Sequence, residues 1–159
     1  MNFSLVKHIR ILSVAAIAIV FASCNSHDAQ AQLDSDIAII EKYIADNGLD
    51  AEEYDIGLYI VKDNEGNGNR PNSTSDVLVR YRGYLPNGVV FDDQSWNTAA
   101  NFNLSGVVEA WRRGIPQFKE GGRGTILMAS YLGYGENSPS STIPDNSVLI
   151  FDIDLVAVF

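Results

Sequence analysis

The sequence predicts an α+β fold: an antiparallel sheet wrapped around one short helix, with a separate N-terminal helix ahead of it. Three observations lead there. Val77, Val79 and Tyr81 alternate with Leu78, Arg80 and Arg82, and Leu149, Phe151, Ile153, Leu155, Ala157 and Phe159 fall on one face of a run from Ser147 to Phe159. Val107, Val108 and Trp111 share a face over a short stretch that Gly114 closes. Leu33, Ile37, Ile40 and Ile44 recur at helical spacing.

The elements follow in chain order. Residues 1–23 read as a signal peptide, with Lys7 and Arg10 ahead of the apolar run Ile11 to Ala22, which is too short for the roughly 20 residues that span a bilayer. Small residues then precede the chain's single cysteine, Cys24, as in the lipobox of a bacterial lipoprotein. A lone cysteine cannot close an internal disulfide. Cys24 is therefore expected to carry a lipid anchor, and several acyl chains on one residue anchor stably. Residues 24–34 read as a polar tether. Residues 35–56 read as a helical extension, with the helix itself over Ser35 to Asp46 and Asn47-Gly48 as its stop. Its apolar stripe is expected to dock on the domain; a second copy is the other candidate occupant.

The domain proper is expected over 57–159. Leu58 to Val61 is a short β-rich run. Asp63 to Ser75 is a loop dense in turn residues. It resembles half of a calcium loop, but Thr74 stands where the required acidic ligand belongs, so calcium is not expected. The strand from Val77 leads into Pro86-Asn87-Gly88, a hairpin turn signal, and back through Val89 to Asp92. The helix at Val107 to Gly114, a strand at Thr125 to Ala129, a 17-residue loop from Ser130 to Asn146 and the C-terminal strand complete the chain.

Charge and composition exclude several functions. The net charge is −9, and loss of Lys7 and Arg10 with the signal peptide takes it to −11. That opposes contact with phosphate backbones, so nucleic acid is not an expected partner. His27 is the one histidine beyond the signal segment, and it lies in the tether. No G-x-S-x-G and no zinc-type spacing accompanies it. No metal site and no cofactor is expected. What remains is a set of aromatic and apolar residues suited to one shallow pocket.

Those residues sit in an ordered series: VLVRYRGYLPNGVVFDD, VVEAWRRGI, EGGRG, YLGYG and STIPDNSVLIFDIDLV. Together they resemble FKBP-type peptidyl-prolyl cis–trans isomerases over Val77 to Phe159. The Leu33–Leu58 segment resembles the N-terminal extension of the lipoprotein form in Bacteroidetes-like bacteria. The resemblance implies a five- or six-stranded sheet curled around the helix, with proline entering the groove between them. It implies that Tyr81 lines the pocket, Phe91 and Asp92 form its rim, and Trp111 is its floor. It implies that Val108 offers a backbone N–H and Tyr134 a hydroxyl to the substrate carbonyls. Val107, Ile143 and Phe151 would be further walls. Read without the resemblance, Asp92 needs a partner or a site to face, and Arg80, Arg82 and Arg123 are the candidate partners.

The resemblance further implies an isomerase acting on proline-containing polypeptides among exported proteins; the lipobox at Cys24 places it lipid-anchored in the cell envelope, and Asn25 after the cysteine, in place of the aspartate of inner-membrane retention, makes the outer membrane the expected location. A binding module or chaperone of the same fold, with little or no activity, is the alternative. Three departures bear on preference and on macrolide binding, for which the chain is a candidate. Ala100 replaces an aromatic wall, the Phe102–Val107 connection is two residues shorter than usual, and Pro139 and Thr142 occupy the loop tip.

Overall fold

A computed structural model describes residues 9–94 and 98–159, with side chains from His27 onward. The expected n-region around Lys7 and the side chain of Cys24 lie outside that description. In chain order the elements are helix α1 (Ile9–Asn47), strands β1 (Ala51–Asp55), β2 (Leu58–Asn64), β3 (Asp76–Tyr84), β4 (Val90–Gln94) and β5 (Ala100–Asn103), helix α2 (Glu109–Gly114), and strands β6 (Arg123–Met128) and β7 (Leu149–Val158). Single 3-10 turns at Leu104–Gly106, Ile115–Gln117 and Ser130–Leu132 join them.

The strands form one sheet in the order β1-β2-β6-β7-β3-β4, and β5 also pairs with β3. All pairings are antiparallel. β4 pairs with Tyr81–Tyr84 and β5 with Asp76–Val79, so the two short strands share one edge position beside β3. The sheet thus has six positions built from seven strands. The expected turn is present: Leu85 N–H donates to Val89 O at 2.9 Å, and Gly88 takes φ +86° to close it.

Two apolar layers hold the sheet. On the concave face Leu58, Ile60, Val79, Ile126, Met128, Leu149 and Ile153 pack with Trp111 and Ile115 of the helical segment. On the other face Tyr59, Val61, Leu127, Ala129 and Ile150 pack under α1 through Ile40, with Leu33 and Ile44 beside it. β2 is buried on both sides, which is why Leu58 to Val61 is continuously apolar rather than alternating. The stripe on α1 is therefore spent on its own domain.

Four expectations are corrected. Residues 24–34 are not a loose tether but part of α1 (Ile9–Asn47), which runs far ahead of Ser35. The segment holds no Gly or Pro, and Gln30 and Gln32 each donate to a carboxylate one turn on, Asp34 at 2.7 Å and Asp36 at 2.8 Å. Ala51–Asp55, assigned to the extension, is the sheet's edge strand; its exposed Glu52 and Glu53 hide the strand pattern and discourage edge pairing. Phe159 does not share the inner face of β7. A bulge at Val156 shifts the register, since Val79 faces Leu155 while Leu78 faces Ala157, and Val158 takes the inward place. Phe159 is left 73% exposed. The helix after Val107 begins only at Glu109, and Gly114 does not end it by a left-handed turn; its φ is −80°, and a Cβ there would lie 2.9 Å from Ile126 Cδ1. Gly114 lets α2 sit close on the sheet.

The outer face also carries polar pairs. Asp154 sits between Arg80 at 3.0 Å and Arg123 at 3.6 Å. Asp152 accepts from Tyr84 at 3.0 Å and Thr125 at 2.9 Å. Burial, then a hydrogen bond with Tyr43 and the Asp152 charge, raise the Tyr84 phenol above its ordinary 10.0. A raised folded-state value means stability is fully present below about pH 10 and is lost as pH climbs past it, because only the unfolded phenol ionises there. Urea midpoints measured from pH 8 to 11 are expected to fall above about pH 10, and less steeply in Tyr84→Phe. Parallel alkaline limbs in the two proteins would refute this origin.

Candidate functional site

β3 carries Tyr81 onto the face of the sheet that packs against α2. Neighbouring strands add Phe91 and Asp92 from β4, Phe102 from β5 and Phe151 from β7. α2 places Trp111 beneath them, 4% exposed. The Trp111 ring meets three others edge-on: Tyr81 at 5.0 Å and 87°, Phe151 at 5.2 Å and 79°, and Phe102 at 5.3 Å and 79°. Phe91 meets Phe151 at 5.4 Å and 79°. Edge-to-face packing lets ring edges meet π faces and fixes the rings relative to one another.

Val107, Val108 and Tyr134 pack half-buried against this cluster, and Ile143 is buried within it. Phe91, Trp111, Phe151 and Tyr81 therefore come together with Val107, Val108, Tyr134 and Ile143. Asp92 joins through Tyr81, whose hydroxyl donates to Asp92 Oδ2 at 2.7 Å. Arg80 and Arg123, two of the candidate partners, are drawn to Asp154 on the opposite face.

The donors of the site are intact. Burial, then the Asp92 hydrogen bond and charge, push the Tyr81 phenol well above its ordinary value. Burial and the Asp92 charge raise Tyr134 as well. Both hydroxyls keep their protons at neutral pH. Tyr134 O–H makes no hydrogen bond among the described residues, although its backbone carbonyl accepts from Asn137 at 3.1 Å. Val108 is the cap of α2, extended at φ −57° and ψ 151°; its carbonyl accepts from Trp111 and Arg112, and its N–H makes no hydrogen bond among the described residues. Two donors thus border an apolar, ring-lined groove.

Sequence reasoning missed two contributors. Phe102 stands in a strand of four residues, too short for alternation to reveal. It closes the side of the cluster next to Ala100, which is itself half-buried opposite Val79. Gly83 lies under Phe91 and Phe151, where a Cβ would sit 2.6 Å and 2.7 Å from their ring atoms. A lone glycine inside a strand pattern was the available signal for such a close approach. A separate recess of about 960 Å³ lies between α1 and the 130–146 loop, touching Leu33, Tyr131 and Glu136, and it includes none of the rings.

Residues 68–156 match the model of the FKBP-type peptidyl-prolyl cis-trans isomerase family. A probable FKBP-type isomerase of Haemophilus influenzae is 38% identical over 70% of this chain and 46% of its own length. The isomerase FkpA of Escherichia coli K12 is 30% identical over 82% of this chain and 50% of its own. The chain spans about half the length of these relatives. It covers 97% of an FK506-binding protein of Neisseria meningitidis, at 31% identity. Among solved structures, a peptidyl-prolyl isomerase of Pseudomonas syringae superposes with TM-score 0.71 at 26% identity, over 81% of this chain and 94% of that one. FkpA of Escherichia coli superposes with TM-score 0.69 at 26% identity, over 99% of this chain and 74% of that one. With the family model covering more than half of the sequence and the fold agreeing, the chain belongs to the FKBP-type peptidyl-prolyl cis-trans isomerase family.

Proposed function

We propose that this chain is a peptidyl-prolyl cis–trans isomerase acting on exported, proline-containing polypeptides. The observation that carries the reading is the ring cluster over Trp111, where Tyr81 and Phe91 are only partly buried, with two free donors beside it, Val108 N–H and Tyr134 O–H. An X-Pro amide turns slowly because resonance stiffens its C–N bond, with a barrier of about 18–20 kcal/mol. Placing that amide in an apolar groove disfavours the charge-separated form that stiffens it. Trp111, Phe91, Tyr81 and Phe151 hold the proline ring, while Val108 N–H and Tyr134 O–H hold the flanking carbonyls of the twisted form. A thousandfold acceleration requires only about 4 kcal/mol of differential stabilisation, and desolvation with one or two hydrogen bonds is of that order. Asp92 orients Tyr81 and leaves its phenol engaged, so the wall does not shift when a ligand enters.

The test is NMR exchange spectroscopy on a short X-Pro peptide with the purified chain. Acceleration is expected, and Tyr134→Phe should keep the fold while lowering kcat/KM by about five- to tenfold, the worth of one hydrogen bond. A folded chain that accelerates nothing would displace this reading in favour of a binding module or chaperone of the same fold. A macrolide is a proposed ligand of the same groove, with Ala100 and Thr142 altering its walls.

The proposed setting is the cell envelope, most simply the outer membrane, with Cys24 lipidated. No helix among the described residues is long and apolar enough to cross a membrane. Leu33, which packs on the domain, lies nine residue steps of helix beyond Cys24, a rise of about 14 Å. An anchored domain would then be held near the lipid surface by a rigid spacer.

A further inference from the structure

We propose that Asp36, on α1, is a positioning residue for Tyr134, so that the N-terminal helix sets the geometry of the groove; this rests on the isomerase reading above. Asp36 is 1% exposed, unlike the other acidic residues of α1 described here. Its Oδ2 accepts from both Ser130 N–H at 2.8 Å and Ser130 Oγ–H at 2.6 Å. Its Oδ1 accepts from Gln32 at 2.8 Å. Three donors offset the cost of burying this carboxylate, and its bonds are directional.

Ser130 passes that constraint to the loop. Its carbonyl accepts from Gly133 N–H at 3.0 Å and Gly135 N–H at 2.9 Å. Those two glycines flank Tyr134. Gly135 has φ +54°, a left-handed conformation that favours glycine, and a Cβ on Gly133 would lie 2.9 Å from Leu149 Cδ1, so a side chain there would push Leu149 aside. A tyrosine between two glycines has a freely swinging backbone unless something outside holds it. Ser130 holds both neighbours from one carbonyl, and Asp36 holds Ser130 by both of its donors. Leu33, Ile40 and Ile44 already dock α1 by apolar contact. Docking alone does not need a buried acid; fixing the orientation of Ser130 does. A hydroxyl held in place contributes to the twisted amide without first losing its freedom.

Two measurements test this on the purified chain. In amide hydrogen exchange, Asp36→Ala should speed exchange at Gly133 and Gly135 by about tenfold or more while the β7 amides stay protected. In X-Pro exchange kinetics, Asp36→Ala should lower kcat/KM by about threefold to fivefold in the wild-type background and have no further effect in Tyr134→Phe. Asp36→Asn keeps an acceptor oxygen and should restore most of the rate. Ser130→Ala removes one donor only, and serves if Asp36→Ala does not fold. Unchanged glycine exchange, or an Asp36→Ala loss of equal size with and without the Tyr134 hydroxyl, would overturn the proposal. An inactive wild-type chain would sink the isomerase reading, and the glycine amides would still decide whether Asp36 holds the loop.

Discussion

Trp111→Ala is expected to abolish measurable isomerase activity and to destabilise the fold by about 3–5 kcal/mol. The indole is 4% exposed and is the one ring in edge contact with Tyr81, Phe102 and Phe151 together. Its removal leaves a cavity beneath the groove and frees three walls at once. A domain of this size has about 5–15 kcal/mol to lose, so the variant should fold, with a lower urea midpoint. Activity must be read where circular dichroism shows it folded. Trp111→Phe sharpens the test. The indole Nε1 is buried with no hydrogen-bond partner among the described residues, so phenylalanine forfeits no hydrogen bond and even removes an unpaired donor. It should cost less stability than alanine and keep most of the rate. Wild-type turnover by folded Trp111→Ala would remove Trp111 from the pocket assignment.

What the sequence conveyed and what it hid divide along physical lines. β3 and the first half of β7 were legible because one face of each is wet or polar, as with Arg80, Arg82, Asp152 and Asp154 against Val79, Tyr81, Phe151 and Ile153. β1 was illegible because it is an edge strand whose acidic residues repel partners rather than pack. The bulge at Val156 has no composition of its own, so inward and outward positions exchange unannounced at the end of β7. The supposed tether looked flexible because it is polar. Yet polarity does not oppose helix where Gln and Asp pair one turn apart, and absence of Gly and Pro carried more weight than hydrophilicity. At the site, the ordered motifs located residues whose roles are chemical. They could not show that Ser130 belongs with Asp36, which is 94 residues away in sequence, since a single buried acid on a helix leaves no periodic trace.

Gly83→Ala is expected to disturb the groove almost as severely, though it adds one methyl group. Gly83 does not need its freedom for φ, since it is not among the positive-φ glycines. It is needed for space. A Cβ would stand 2.6 Å from Phe91 Cε2, 2.7 Å from Phe151 Cε1 and 2.8 Å from Phe91 Cζ, all inside any tolerable contact. The backbone cannot retreat, because Gly83 pairs with Asp92 of β4 on one side and Phe151 of β7 on the other. The rings must therefore move, and they are the rings that meet edge-on at 5.4 Å to form one wall. Overpacking of this kind costs about 1–3 kcal/mol, and displacing a binding wall by about 1 Å can cost on the order of a hundredfold in rate. A kcat/KM reduced by about that factor, with a modest fall in urea midpoint, is the expected result. Adding Phe91→Leu, which withdraws one of the clashing rings, should recover part of the lost stability without recovering the rate. That split separates a crowded core from a displaced wall: if stability and rate return together, Gly83 matters only for packing, and if the rate never fell, Phe91 and Phe151 do not line the path of the substrate.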